Sequence, residues 1–139
     1  MTAKYLADKG ALARMPGPRV AKRLAPLIEA GEVATCAVVE LEVRYSARSH
    51  ADLLTMIRRR ELAYAWVPIS EQTLQRALEI QRLLAKTGHH RVPIPDLILA
   101  ATAEEHDLVV LHYDKDFDTI AAVTGQETEW IVPRGELES

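Results

Sequence analysis

Apolar residues occur along the chain in short runs that predict buried strands. Runs that are hydrophobic at successive positions are typical of parallel strands, because helices cover both faces of such a sheet. Two runs, residues 4–8 and 108–113, are rich in β-prone residues and end in or directly before an aspartate. Residues 32–36 form a third, less β-prone run. Residues 62–69 and 129–132 are two further candidate strands.

Apolar residues at helical spacing fill the segments between these strands. The predicted helices are residues 18–31, 38–47, 51–60, 71–88, 96–106 and 116–123. In the first helix Gly31 is a stop signal, and Pro26 predicts a kink or a break. Ser70 is the predicted N-cap of the fourth helix. The predicted inward residues are Val20, Leu24, Leu27 and Ile28 in the first helix, and Leu74, Ala77, Leu78 and Leu84 in the fourth.

The alternation of strands and helices predicts an α/β fold. Right-handed crossovers would place four to five parallel strands in one small sheet flanked by helices. No repeat, low-complexity tract or linker divides the sequence, so residues 1–139 are expected to form a single domain.

Composition excludes several classes of protein. The net charge of −3 and the pI of about 5.9 argue against a broad basic surface for nucleic acid. Cys36 is the one cysteine, which excludes a disulfide framework and a thiolate metal cluster. No signal peptide or membrane-spanning run is evident, so we expect a reduced, cytoplasmic protein without a membrane.

Acidic residues fall at the predicted functional edge of the sheet. Asp8, Asp114 and Asp116 follow strands, Asp96 stands at a helix N-terminus, and Glu42 lies in the helix after the second strand. The carboxyl ends of parallel strands meet at one edge, where open sheets form their sites. Carboxylates that converge there repel one another unless a cation neutralises them, and Mg²⁺ and Mn²⁺ prefer such oxygen ligands.

Each acid also has a plainer interpretation. Asp96 and Asp116 are good helix N-caps, Asp8 suits a turn, and Glu40 and Glu42 suit a solvated helix surface. A metal site and local capping therefore remain alternatives at this point.

Two other metal sites are disfavoured. A calcium-binding EF-hand at residues 114–125 would need Gly and Glu where the chain has Thr119 and Gly125. The five histidines show no zinc-ligand spacing.

Four motifs together resemble the PIN-domain ribonucleases, and in particular the VapC toxins of bacterial toxin–antitoxin pairs. They are "YLADKGAL", "ELEVRYSA", "IPDLILAATA" and "LHYDKDFDTIA", and they occur in the family's order over nearly the whole chain. The resemblance implies a PIN-like three-layer fold and a metal-dependent endoribonuclease. It also implies an RNA substrate such as tRNA or rRNA, a VapB-like antitoxin as partner and a homodimer.

The resemblance assigns the acidic residues to a catalytic and metal-binding site. Its members in this chain are Asp8, Glu42, Asp96, Asp114 and Asp116. It implies Mg²⁺ as cofactor, with Mn²⁺ as a substitute, held chiefly by Asp8 and Asp96. The other three would hold a second ion or orient the attacking water. Glu40 matches the family's glutamate less well than Glu42.

Two positions depart from the family pattern. Gly10 replaces the usual Ser or Thr, which removes a hydroxyl expected to support the acidic site. His112 stands where Thr or Ser is common, and we expect it to be a packed, hydrogen-bonded residue.

Basic residues are candidates for RNA contacts, and the tryptophans are candidates for packing anchors. The predicted RNA contacts are Arg14, His89, His90 and Arg91, which lie near the site acids in sequence. A solvated surface is the alternative for each basic run, including Arg58, Arg59 and Arg60. Trp66 and Trp130 are expected to be core or interface anchors.

Two alternative functions remain open on the sequence. One is a catalytically weakened PIN fold that binds RNA or protein, which Gly10 favours. The other is a Mg²⁺-binding receiver-type signalling domain, although Asp8 has no acidic neighbour and Lys115 sits between two acids.

Overall fold

The computed structural model describes residues 3–137. The five strands are β1 (Tyr5–Ala7), β2 (Val33–Thr35), β3 (Ala65–Trp66), β4 (Val109–His112) and β5 (Thr128–Trp130). The helices are α1 (Lys9–Ala13), α2 (Pro18–Glu29), α3 (Ala37–Arg44), α4 (His50–Ala63), α5 (Glu71–Ala85), α6 (Ile94–Glu105) and α7 (Asp116–Thr124). Within the described range, no helix is long and apolar enough to cross a membrane.

The five strands form one parallel sheet in the order β3-β2-β1-β4-β5. This confirms the predicted α/β class and all five strand segments, with shorter bounds. The receiver-type alternative is wrong, because that module has the strand order 2-1-3-4-5. The strand order reverses between β1 and β4, so this junction is the switch point at which open α/β sheets form sites.

Two helical layers cover the sheet and complete the predicted three-layer fold. Alternate residues of each strand point to opposite faces, so Leu6 of β1 packs with α3, α5, α6 and α7. The next residue, Ala7, packs with α1 and α2. Both side chains are almost fully buried. The core therefore lies on both sides of β1, the central strand.

Helix α2 largely follows its prediction. Gly31 adopts a left-handed φ of 72° just past the helix, where glycine fits without strain. The predicted break at Pro26 is wrong, because α2 continues to Glu29. Pro26 is on the exposed side, where water can satisfy the carbonyl that its missing N–H leaves free.

Two other predictions about elements need correction. The run 62–69 forms only a two-residue exposed strand, because α4 extends to Ala63 and takes up Leu62, which is 91% exposed. Within α5, Leu74 and Leu78 are 40% and 61% exposed, whereas Thr73, Ala77, Ile80 and Leu84 are buried. The buried stripe is thus rotated away from those two leucines. The short helix α1 was not predicted.

Candidate active site

Asp8 lies directly after β1 and caps α1. Its Oδ1 accepts a hydrogen bond of 2.9 Å from the N–H of Ala11, and the residue is only 9% exposed. Burial raises the pKa of Asp8 to about 6, although the N–H groups of Ala11 and Gly10 stabilise the carboxylate. The charges of Asp114 and Glu42 act in the same direction as burial. Asp8 is therefore both a helix cap and a destabilised anion.

Asp96 lies in the first turn of α6, half-buried. The N-cap of this helix is Pro93, and no side chain caps it, so the interpretation of Asp96 as an N-cap is wrong. Burial raises the pKa of Asp96 to about 7, and the charges of Asp8, Asp114, Asp116 and Glu42 add to that effect. This carboxylate thus faces four other acids without performing a capping role.

Asp114 lies in the loop that joins β4 to α7, and Asp116 is the first residue of α7. The N–H of Asp116 donates to Oδ1 of Asp114 at 2.9 Å, which holds the two residues together. The N-cap residue of α7, Lys115, makes no side-chain hydrogen bond, so the interpretation of Asp116 as the cap is also wrong. The side chain that accepts from the first N–H of the helix is that of Asp114. Burial and the nearby Asp114 raise the pKa of Asp116 above its ordinary value.

The tertiary structure brings these acids together from three elements. One carboxylate oxygen from each of Asp96, Asp114 and Asp116 lies within 4.8 Å of the other two. Asp8 and Glu42 are not in that group, yet their charges raise the pKa of Asp96. Glu42 is half-buried on α3. All five predicted site acids therefore face one region at the carboxyl edge of the sheet.

The cluster fits a divalent cation. Among residues 3–137, no ion pair involves any of these five carboxylates. Buried carboxylates without a positive partner repel one another, and a hard cation with oxygen ligands relieves that repulsion. Hydrogen bonds to helix N-termini involve Asp8 and Asp114, but they do not account for Asp96, Asp116 or Glu42.

Glu40, two residues before Glu42, has a different environment. It is 4% exposed, and its carboxylate accepts hydrogen bonds from Nε of Arg60 at 2.9 Å and from Oγ1 of Thr35 at 2.6 Å. Arg44 pairs with it at 3.3 Å. Burial opposes ionisation, but these partners outweigh it and lower the pKa of Glu40. The expectation of a solvated acid is wrong here, and so is that of a solvated surface for Arg60.

The predicted RNA contacts lie in two places. Nη1 of Arg14 donates to the carbonyl of Gly10 at 3.0 Å, and its guanidinium stacks on Tyr113 at 4.7 Å. A Cβ at position 10 would lie 3.6 Å from Arg14 and 3.3 Å from Oδ2 of Asp8, so Arg14 flanks the acidic site. His89, His90 and Arg91 are exposed in the connection between α5 and α6. No described contact joins these three residues to the acids.

His112 is packed and hydrogen-bonded, as predicted. It is fully buried, its Nδ1 accepts from the N–H of Asp114 at 3.2 Å, and burial lowers its pKa. Its ring lies 5.0 Å from those of Phe117 and Trp130. The neutral imidazole therefore supports the loop that carries Asp114. Of the two tryptophans expected to be anchors, Trp130 is half-buried in this cluster and Trp66 is 59% exposed.

Three residues beside the acids were assigned no role from the sequence: Lys9, Tyr45 and Tyr64. With Arg60, which belongs to the basic run noted above, they line a groove that also contains Glu42. Tyr64 stood inside an apolar run predicted to be a strand, and Tyr45 inside a predicted helix. A tyrosine next to a basic residue, as at Arg44–Tyr45, is the sequence signal that could have pointed to this surface.

Comparisons with known proteins agree with this geometry. A family model described as "PIN domain" matches residues 8–123. "Ribonuclease VapC51" from Mycobacterium tuberculosis (strain ATCC 25618 / H37Rv) is 47% identical over 141 residues, which cover 99% of this chain and 100% of that protein.

Solved structures share the fold. A DNA-bound VapBC from Salmonella typhimurium has a chain that is 18% identical, with a TM-score of 0.74, over 94% of this chain and 99% of that one. VapBC-5 from Mycobacterium tuberculosis, a member of the VapBC family of toxin–antitoxin systems, gives 25% identity and a TM-score of 0.59, over 94% and 99%. With the matched family model and the full-length relative, these findings show that the chain belongs to the PIN-domain family, among the VapC ribonucleases.

Proposed function

We propose that this protein is a metal-dependent endoribonuclease and the toxin of a VapBC pair, which inhibits translation by cutting tRNA or rRNA. The carrying observation is the cluster of five acids without a described positive partner, in which three carboxylates lie within 4.8 Å of one another. Family membership and the ribonuclease name of the full-length relative support the same activity.

The five acids are proposed to have different roles, as metal ligands or in orienting the attacking water. Asp8 and Asp96 are proposed as the main metal ligands, because burial makes them the most destabilised anions of the cluster. Asp114 and Asp116 stand next to Asp96 and complete the ligand set or hold a second ion. Glu42, which lies outside that group but close enough for its charge to act on Asp8, is proposed to orient the attacking water.

Mg²⁺ is the proposed ion, with Mn²⁺ as a substitute. Both prefer carboxylate oxygens, and neither requires the nitrogen or sulfur ligands that this site lacks. When bound, the ion would neutralise charge that develops on the phosphate. The carboxylates would hold the ion, which would bind the phosphate, and would orient the water for attack in line with the bond that breaks.

Cleavage of end-labelled total tRNA and rRNA tests the proposal. The purified protein, free of antitoxin, would be assayed with Mg²⁺, with Mn²⁺ and with EDTA. We expect discrete fragments that need metal and that disappear in Asp8→Asn and Asp96→Asn. Glu127→Gln is the matched control, because Glu127 is exposed at the opposite edge of the sheet. Cleavage that persists in both aspartate variants would contradict this site.

A VapB-like antitoxin is the proposed protein partner. The VapBC-5 structure, from a toxin–antitoxin system, supports it. A basic side chain of that partner would neutralise the acidic cluster in place of a cation. We expect the bound antitoxin to suppress cleavage, and suppression that leaves the cluster free to bind Mn²⁺ would contradict this placement.

A second copy of the chain is the proposed partner of the α5–α6 surface. Leu74, Leu78 and Ile94 are exposed there around an almost wholly apolar groove. Helix α5 carries Glu71 at its start and Arg82 near its end. Two copies that pack α5 antiparallel would bring these opposite charges together, which supports a symmetric dimer.

A further inference from the structure

A groove of about 420 Å³ opens beside the acidic cluster, between α1, α3 and α4. Glu42 belongs to both the groove and the cluster, and Lys9 in its wall directly follows Asp8. A polymer whose reacting phosphate lies on the acids has to continue over a neighbouring surface. This groove is such a surface.

Two tyrosines give the groove aromatic walls. Tyr45, at the end of α3, is 91% exposed. Tyr64, at the end of α4, lines the same groove and is half-buried, with the guanidinium of Arg60 4.5 Å from its ring. Aromatic rings beside basic groups are typical of surfaces on which unpaired bases stack, because every base presents a π-face.

The groove also has an excess of positive charge. Arg44 and Arg60 share the single carboxylate of Glu40, and the side chain of Arg60 is only 11% exposed. Both guanidinium groups are therefore engaged with Glu40, although Arg60 contributes its positive charge to the groove wall. Lys9, in the same wall, is exposed and has no ion pair among the described residues. Its ammonium group is available to contact a phosphate.

We propose that this groove binds the single-stranded RNA segment next to the scissile phosphodiester, with a base against Tyr45 and a backbone phosphate near Lys9 and Arg60. The inference rests on the proposed nuclease function and adds the path of the substrate. A protein segment is the competing occupant, since Leu12 and Met15 also line the groove. The exposed Lys9, the exposed ring of Tyr45 and the continuity with the acidic cluster through Glu42 favour RNA.

Binding is measured first, by fluorescence anisotropy of a fluorescein-labelled, mixed-sequence 12-nucleotide single-stranded RNA. All proteins carry Asp96→Asn and are measured with Mg²⁺, so that the RNA stays intact. Tyr45→Ala should raise Kd about fivefold to tenfold, whereas Tyr45→Phe should retain affinity because it keeps the ring. The exposure of Tyr45 leaves folding intact, which an unchanged Tm verifies.

The charge contribution is tested with Lys9→Ala. We expect weaker binding at low salt and a slope of log K against log salt that is smaller by about 0.7. Lys4→Ala is the matched control, because Lys4 lies at the amino edge of the sheet and is 64% exposed. It should bind like the parent protein.

Cleavage by proteins with Asp96 restored separates this inference from the nuclease function. If Tyr45→Ala and Lys9→Ala bind and cleave as wild type does, the groove assignment is wrong and the nuclease stands. If no RNA is cleaved with either metal but binding depends on Tyr45, the groove stands and the nuclease is wrong. RNA affinity that survives Tyr45→Ala while binding of an antitoxin is lost would assign the groove to protein.

Discussion

The carboxyl group of Asp96 makes the stability of the metal-free protein depend on pH. Its pKa rises from 3.8 to about 7 on folding, so the folded state binds the proton more tightly than the unfolded state does. The free energy of unfolding therefore falls as pH rises through this range. At pH 8 in EDTA, Asp96→Asn should be more stable than wild type by roughly 1–2 kcal/mol, discounted for solvent screening.

Thermal unfolding at pH 5 and pH 8 measures this effect. The difference in Tm should shrink at pH 5, where wild-type Asp96 is protonated. Mg²⁺ at pH 8 should raise the Tm of wild type more than that of Asp96→Asn. Glu127→Gln should show neither effect, and a pH-independent gain in Asp96→Asn would argue against a destabilised anion.

At position 10, replacing glycine by serine is expected to strengthen metal binding at the acidic site. A Cβ there would stand 3.3 Å from Oδ2 of Asp8, so the hydroxyl of Gly10→Ser can donate to that carboxylate. Such a bond favours the charged form and lowers the pKa of Asp8. We expect Mn²⁺ affinity and cleavage to rise by about threefold to tenfold, measured by titration and by single-turnover rates.

Gly10→Ala is the control for that change. It adds the same Cβ without the hydroxyl and gains helix propensity of up to about 1 kcal/mol, like any residue that replaces glycine in a helix. An equal gain in metal affinity from Ala and Ser would show that the hydroxyl has no role. Cleavage that appears only in Gly10→Ser would mean that the natural chain is a weakened nuclease.

At the scale of elements, the pair Glu40–Arg60 joins α3 to α4. Glu40→Gln would leave two arginines beside a buried neutral group, so we expect a loss of about 3 kcal/mol in the free energy of unfolding at pH 7. The pKa of Glu40 is below its ordinary 4.5, so this stabilisation is present above that pH and is lost as pH falls. Urea denaturation at pH 7 and pH 4 measures it.

Glu79→Gln is the matched control for Glu40→Gln. Glu79 also pairs with an arginine, Arg76, but its side chain is 52% exposed. An exposed pair contributes at most about 1 kcal/mol. Equal losses in the two variants would contradict a special role for the buried pair.

At the scale of the whole molecule, the exposed leucines of α5 predict assembly. Wild type should have twice the 15.5 kDa chain mass in light scattering after size exclusion. Leu78→Asp should have the mass of one chain, because a charge in the centre of an apolar interface is not compensated. Leu62→Asp is the control, since Leu62 is 91% exposed on α4, away from this surface. A wild-type monomer at micromolar concentration would contradict the dimer.

Much of the fold and the candidate site could be predicted from the sequence. The alternation of apolar runs is a local property, and it located each of the strands found among residues 3–137. The position of Asp8 and Asp114 after β1 and β4 followed from it, because parallel strands place their carboxyl ends at one edge. Proximity of Asp96 to Asp114 was expected from the motifs, and one carboxylate oxygen of each lies within 4.8 Å of the other.

The sequence by itself thus determined that helices flank a parallel sheet and that the acids lie at its carboxyl edge. Both follow from the spacing of apolar residues and from the direction of the strands, which are encoded locally. Only the tertiary structure decided which helix faces are buried, since burial depends on partners far along the chain. Leu78 is exposed because Ile80 and Leu84 turn toward the core. Glu40 is buried because Arg60, twenty positions away, neutralises it. The groove beside Glu42 likewise exists only where α1, α3 and α4 meet.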